Sequence, residues 1–192
     1  MPDPSTMPNA QRLCLYDAAE LDAVLQAMAR RADVLLPAGR SALVGILRRG
    51  EPLARMLQQH LVRHCGREEL PVHALKVKRY ADDLRLLHPQ TALTESSELA
   101  GLDLSGTTLL VVDDVLYEGH SLLRTCAYLA QLGARDVHAA VLVDRRVCRQ
   151  PVHAGIVGVS LQVAPDDVVE CNVPPYEPEF RIDLLRHGRQ RD

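Results

Sequence analysis

Two stretches of this chain, residues 42–47 and 109–112, are apolar or glycine without a break, and a third, 137–143, is broken only by His138. A strand with one wet face alternates apolar and polar residues, so an unbroken apolar run of this length describes a strand buried on both faces. Helical patterns separate the runs. Leu21, Val24, Leu25 and Met28 repeat at the spacing of one helix face, as do Leu53, Met56, Leu57 and Leu61. Buried strands alternating with amphipathic helices form βαβ units. The expectation is therefore an α/β fold with a central, mainly parallel sheet flanked by helices. Ligands in such sheets bind beyond the carboxyl ends of the strands. That rule selects Arg48-Arg49-Gly50, residues 113–121 and Asp144-Arg145.

Local signals set the element ends. Asp17 with Glu20 three residues later reads as a capping box, and Pro37 and Gly39 end the helix that follows. A second helix is expected to begin near Pro52, a residue suited to a first helical turn. Residues 72–77 alternate like a strand. Residues 121–132 read as a helix with Gly133 beyond its end, and 156–159 and 168–171 as short strands. Residues 79–106 are polar and aperiodic, and a loop of that length in a compact domain is either functional or disordered; it is expected to act as a lid, poorly ordered without ligand. Residues 1–10 are expected to be disordered and 174–192 to form an extended tail on a single domain spanning 1–192.

A length of 192 residues with 47% hydrophobic content supplies one core, and with aromatics at 3% and no tryptophan that core must be built from Leu, Val, Ala and Ile. The charge balance, 22 basic against 25 acidic residues, does not announce a nucleic-acid binder. No apolar run approaches the roughly 20 residues that span a bilayer, so no membrane partner is expected. The N-terminus lacks a signal-peptide pattern, and Cys14, Cys65, Cys126, Cys148 and Cys171 lack paired spacing; both point to the cytoplasm.

The chemistry concentrates in Asp113-Asp114-Val115-Leu116-Tyr117-Glu118-Gly119-His120-Ser121. This segment follows a buried strand and opens a helix. Gly119 permits a tight turn, after which backbone N–H groups at Gly119, His120 and Ser121 would face a common centre with the helix dipole behind them, a cradle for phosphate. The adjacent carboxylates of Asp113 and Asp114 can accept hydrogen bonds from paired ribose hydroxyls, or hold Mg²⁺ through water or ligand oxygens. A capped turn with two solvated aspartates fits the same residues.

Residues 111–117 with Gly119 resemble the signature by which type I phosphoribosyltransferases bind phosphoribosyl pyrophosphate (PRPP), and are most similar to the PyrR family of pyrimidine regulators with uracil phosphoribosyltransferase activity. Residues 43–54 resemble that family's pyrophosphate loop and its following helix. Tyr80-Ala81-Asp82-Asp83-Leu84 resembles the start of its mobile loop. Residues 141–145, 150–152 and 156–158 resemble the strand and small hood that hold the base. The resemblance implies a type I phosphoribosyltransferase fold, transfer of ribose 5-phosphate from PRPP to uracil to give UMP, Mg²⁺ as cofactor and a homodimer. It implies a catalytic set of Arg49, Asp113, Asp114 and Tyr117. Arg48 and Gly50 would meet pyrophosphate, Glu118, Gly119, His120 and Ser121 the 5-phosphate, and Asp144, Arg145, Val157 and Gly158 the base.

Three departures stand out. Glu118-Gly119-His120-Ser121 replaces the usual Thr-Gly-Arg-Thr, Ala81 replaces an arginine, and Arg48 replaces a threonine. One permanent cation is lost beside the phosphates and one anion gained, which implies weakened activity and tighter PRPP binding on Glu118→Thr. A rival reading is therefore a PRPP- or nucleotide-binding regulator without transfer; an RNA-binding attenuator is disfavoured by the net acidity. Elsewhere, His60 and His64 lie four residues apart on a helix but lack the Glu of a zinc-protease motif, and solvated histidines are expected. Cys126 is expected in the core. Lys76, Lys78, Arg79 and Arg85 read as a solvated strand edge, and Arg145, Arg146 and Arg149 as better placed for ligand contact.

Overall fold

The computed structural model describes residues 10–77, 94–95 and 97–187. In chain order the elements are β1 (Ala10–Tyr16), α1 (Ala18–Leu35), β2 (Ser41–Ile46), α2 (Gly50–Cys65), β3 (Val72–Val77), β4 (Thr94–Glu95), α3 (Ser97–Ala100), β5 (Thr108–Leu116), α4 (His120–Gln131), β6 (Asp136–Asp144), β7 (Ile156–Ser160), β8 (Val168–Asn172) and β9 (Arg181–His187). The main sheet has the order β4-β3-β2-β5-β6-β7. From β3 to β7 all neighbours run parallel, while β4 is antiparallel to β3. The chain leaves β2 to one side to reach β3 and then returns to its other side to form β5. Two loops thus part at the carboxyl ends of β2 and β5, the position where open parallel sheets leave a crevice for ligands.

Both faces of this sheet are covered, as the unbroken apolar runs require. Leu43, Leu110, Val112, Ala140 and Leu142 face a core with α1 and α2, including Leu21, Leu25, Leu53, Leu57 and Leu61. Their neighbours Val44, Leu109, Val111, Ala139 and Val141 face the opposite side, against Leu122 and Leu129 of α4 and Leu99 of α3. Leu110 is fully enclosed, so Leu110→Ala is expected to cost about 2–5 kcal/mol. The capping box forms as expected: Glu20 N donates to Asp17 Oδ1 and Asp17 N to Glu20 Oε2, both at 2.9 Å.

The second helix begins at Gly50, two residues earlier than its proline signalled. The cause is close approach: a Cβ on Gly50 would lie 2.4 Å from the carbonyl oxygen of Val112. The start of α2 is thereby pressed against the carboxyl end of β5.

Several expectations change. The expected tail does not trail away: after a turn, β9 returns to form a three-stranded sheet in the order β1-β9-β8. This small sheet, built from both ends of the described chain, is the hood. Residues 156–158 belong to β7, an edge of the main sheet. The expected long loop carries β4 and α3 in its second half; Tyr80-Ala81-Asp82-Asp83-Leu84 and residues 1–9 lie outside the described residues. His60 is not solvated. It is 5% exposed, stacks on His64 with ring centres 5.3 Å apart, and lies 3.3 Å from Asp22 of α1. His60 falls on the same helix face as Leu53 and Leu57, and the α1–α2 contact encloses that face. No described helix is long and apolar enough to cross a membrane.

Candidate active site

The crevice at the carboxyl ends of β2 and β5 gathers residues from four segments. The first is the end of β5 itself. Asp113 and Asp114 lie within its last four residues, and each is 7% exposed rather than solvated, because the strand runs on to Leu116, with Cys171 of the hood beside them. Asp114 N donates to Asp113 Oδ1 at 3.0 Å and Val115 N to Asp114 Oδ1 at 2.9 Å. Each carboxylate thus spends one oxygen on the backbone of the strand that carries it. The second oxygen of Asp114 faces Arg49 at 3.7 Å.

The second segment is the turn from β5 into α4. Gly119 takes φ +88, and α4 begins at the next residue with no side-chain cap among the described residues. Positive φ alone would favour glycine here. Packing adds a second reason, since a Cβ on Gly119 would sit 2.5 Å from Cys148 Sγ. Cys148 lies within 3.6 Å of the carbonyl oxygen of Glu118, and Arg149 N donates to that same oxygen at 3.2 Å. The loop after β6 therefore buttresses the turn from below. The Glu118 side chain lies 3.6 Å from His120 Nε2 and 3.7 Å from Arg149 Nη1. All three side chains are substantially exposed, so these are loose, screened contacts.

The third segment is the β2–α2 loop with the hood turn opposite it. Arg49 Nη2 donates to Glu177 Oε1 at 2.5 Å and Arg49 Nε to Glu177 Oε2 at 3.1 Å. Glu177 Oε2 also accepts from Val173 N at 2.9 Å. The Arg48 guanidinium lies over the Tyr176 ring, 4.9 Å from its centre. Hydrogen bonding to Arg49 holds the Glu177 carboxyl below its usual range, and the same bond raises Arg49. Beside them burial pushes the Cys171 thiol well up, so it stays neutral.

The fourth segment follows β6. Asp144 Oδ1 accepts from Arg146 N at 2.8 Å and so closes the turn in which Arg146 takes φ 56. Arg145 is 8% exposed, lies 5.5 Å from the centre of the Tyr117 ring, and reaches the Asp167 carbonyl at 3.4 Å. Among the described residues its buried Nε has no hydrogen-bond partner. Val157 and Gly158 are not brought to this end. Register pairs Val157 with Val141, whereas Ser160 stands level with Asp144. Both residues instead line a groove with Val24, Met28 and Arg31 of α1.

The acidic donors suit a metal shared with a ligand rather than a closed protein cage. Among the described residues no group of three or more His, Cys, Asp or Glu could hold a metal ion. Two adjacent carboxylates can nevertheless hold Mg²⁺ when a substrate supplies the other oxygens, the usual manner for that ion.

The phosphoribosyl transferase domain model matches residues 15–179, covering the crevice and, of the hood, β8 and the turn that carries Glu177. The chain belongs to this family. It is 35% identical to the bifunctional protein PyrR of Thermus aquaticus over 144 residues, 74% of this chain and 78% of that protein. Against the bifunctional protein PyrR of Actinobacillus pleuropneumoniae it is 32% identical over 145 residues, 75% and 79% of the two chains. Among solved structures, a hypoxanthine phosphoribosyltransferase from Staphylococcus aureus superposes with a TM-score of 0.70 at 16% identity, covering 91% of this chain and 92% of that one. One from Trypanosoma cruzi gives 0.69 at 18%, covering 92% and 96%. The fold is thus that of the phosphoribosyltransferases, and the chain is PyrR-like.

Sequence reasoning missed Glu177 and Tyr176, which the hood turn delivers to the two arginines. The signal available was Pro174, Pro175 and Pro178 around them, which mark a constrained turn but do not say what it faces. Cys148 was missed too, because a lone cysteine in a polar loop carries no pattern.

Proposed function

We propose that the crevice binds a ribose 5-phosphate ligand and that the chain transfers ribose 5-phosphate from PRPP to a pyrimidine, uracil to UMP, with weakened activity. The observation that carries this reading is the joining of three parts at one strand end: the Asp113–Asp114 pair, the Gly119 turn opening uncapped α4, and Arg49 across the crevice. In this reading the α4 N-terminus and Ser121 hold the 5-phosphate, with His120 at its rim. The second oxygens of Asp113 and Asp114 take the ribose hydroxyls, and Arg48, Arg49 and Gly50 face the pyrophosphate. Tyr117, Asp144 and Arg145 border the base, and the unpartnered Arg145 Nε suits a base carbonyl, which uracil presents.

In the reaction a uracil nitrogen forms a bond to C1 of PRPP while the bond from C1 to the pyrophosphate oxygen breaks. The proton leaves the nitrogen, and pyrophosphate departs. The ribosyl centre is electron-poor on the way, so catalysis rests on positioning and on charges fixed before reaction. Asp113 and Asp114 would hold Mg²⁺ together with ligand oxygens, and the ion would supply positive charge to offset that of the pyrophosphate. Buried carboxylates beneath the ribose place negative charge where positive charge develops.

The protein is read as a cytoplasmic homodimer, in keeping with five free thiols. The rival reading, a nucleotide-binding regulator without transfer, is favoured by the Glu177–Arg49 pair. Incubation with PRPP, Mg²⁺ and uracil separates the two. UMP formation supports transfer; binding without product supports the regulator.

A further inference from the structure

Arg48 and Arg49 are not presented bare to the crevice. The hood turn contacts both, with Tyr176 beside one guanidinium and Glu177 on the other. Glu177 engages Arg49 through two nitrogens, the forked geometry in which a guanidinium also binds a phosphoryl group. A third donor, Val173 N, fixes the carboxylate in place. With Asp114 at 3.7 Å, two carboxylates already face one guanidinium. Glu177 is only 18% exposed, so water screens it little. The 5-phosphate turn lies on a different loop, and Glu177 makes no described contact with it.

We infer that Glu177 stands in for the pyrophosphate on Arg49, making the resting site selective for a nucleoside monophosphate over PRPP or free pyrophosphate. The inference rests on the ribose 5-phosphate reading above and adds to it a residue that sets ligand choice. A monophosphate needs the α4 turn, the two aspartates and the base border, and can meet them without displacing Glu177 from Arg49. A pyrophosphate needs Arg49, so it must displace a fixed carboxylate and then sit beside it with like charge. The hood turn must open for that, and the protein then spends part of the ligand's binding free energy on breaking an internal pair.

The test is calorimetric titration of the full chain with UMP, PRPP and inorganic pyrophosphate, the last two with Mg²⁺. The unaltered protein, Glu177→Gln and Glu177→Ala are compared. In the unaltered protein UMP is expected to bind more tightly than PRPP. Both variants should tighten pyrophosphate and PRPP by about tenfold or more while moving UMP by less than about twofold, because the charge removed sits on the guanidinium that the pyrophosphate would occupy and not on the α4 turn. Glu177→Gln keeps the shape and an acceptor for Arg49, so it separates loss of charge from loss of the turn. Pyrophosphate binding that is unchanged or weaker in Glu177→Gln overturns the inference. So does tighter binding of PRPP than UMP by the unaltered protein, a result that needs no variant. Failure of UMP to bind at all would instead sink the ribose 5-phosphate reading, and pyrophosphate would still report on Glu177 alone.

Discussion

Two glutamates sit at this site, and they behave differently. Glu118, on the turn before α4, lies 3.6–3.7 Å from His120 and Arg149, with all three side chains in substantial contact with water. Glu177, on the hood turn, holds Arg49 at 2.5 Å with most of its side chain covered. The sequence motif drew attention to Glu118, since it sits inside the recognisable loop. The structure shifts the weight to Glu177. A carboxylate controls a site when it is desolvated and fixed by several donors; an exposed one is screened and can swing away.

The largest effect is expected from Arg49→Ala. It leaves Glu177 and Asp114 facing each other without their common cation. Truncating one partner of a covered, hydrogen-bonded charge pair costs about 2–5 kcal/mol where a ligand also depends on it, so PRPP binding should fall by about a hundredfold or more. Calorimetry on the variant checks this; retained binding would return Arg49 to a purely structural role.

Next comes Gly119→Ala, which probes the turn beneath Glu118. A side chain at φ +88 that also meets Cys148 Sγ at 2.5 Å is expected to cost about 1–3 kcal/mol of stability and to weaken 5-phosphate binding. Adding Cys148→Ala should recover part of the loss, because it removes the shortest collision and leaves the backbone strain and the contact with Val152 at 3.0 Å. Denaturant unfolding of the two variants measures the difference.

Glu118→Thr should be milder. Bare repulsion across about 5 Å at an effective dielectric of about 20 is roughly 3 kcal/mol, but near-aqueous screening reduces it about fourfold. PRPP binding is therefore expected to tighten by about three- to tenfold, less than for the Glu177 variants, and the gain should shrink as salt rises. An effect exceeding that of Glu177→Gln would invert the comparison.

The smallest effect is in acid. Glu177 has its carboxyl depressed by Arg49, so the pair's contribution is complete above the ordinary glutamate value of 4.5 and is lost as pH falls through the depressed value. The stability difference between the unaltered protein and Glu177→Gln should be flat from pH 7 to 5 and decline only below that. His60 acts in a higher window. Burial lowers its pKa below 6.5, so the unfolded chain takes up a proton there that the folded one resists. Stability should begin to fall as pH drops below about 6.5, and His60→Gln should remove that part alone.

Much of the parallel sheet was legible because its information is local. Unbroken apolar runs identify β2, β5 and the core of β6, the Asp17–Glu20 box starts α1, and Gly119 marks the entry to α4. The hood was not legible. It pairs Leu13 with Leu184 and Cys14 with Asp183, positions at opposite ends of the chain, and its strands carry Arg12, Glu170 and Asp183. Asp183 is fully buried and accepts from Arg12 at 2.7 Å, Arg181 at 2.9 Å and Asn172 at 3.1 Å. Read alone, those charges look like solvent-facing loop. Only the pairing of distant segments turns them inward, and the same pairing brings Glu177 to Arg49.

The central claim is that Asp113, Asp114 and the Gly119 turn form one ribose 5-phosphate site. Its most direct test is titration of UMP into the unaltered protein and into Asp113→Asn with Asp114→Asn, alongside unfolding curves for both. Asparagine keeps an oxygen for the neighbouring backbone N–H groups, so the fold should survive with a loss of no more than about 1–2 kcal/mol. The account predicts UMP binding by the unaltered protein and its loss, by about a hundredfold or more, in the folded double variant. UMP binding that persists unchanged in that variant would place the ligand elsewhere and contradict the account.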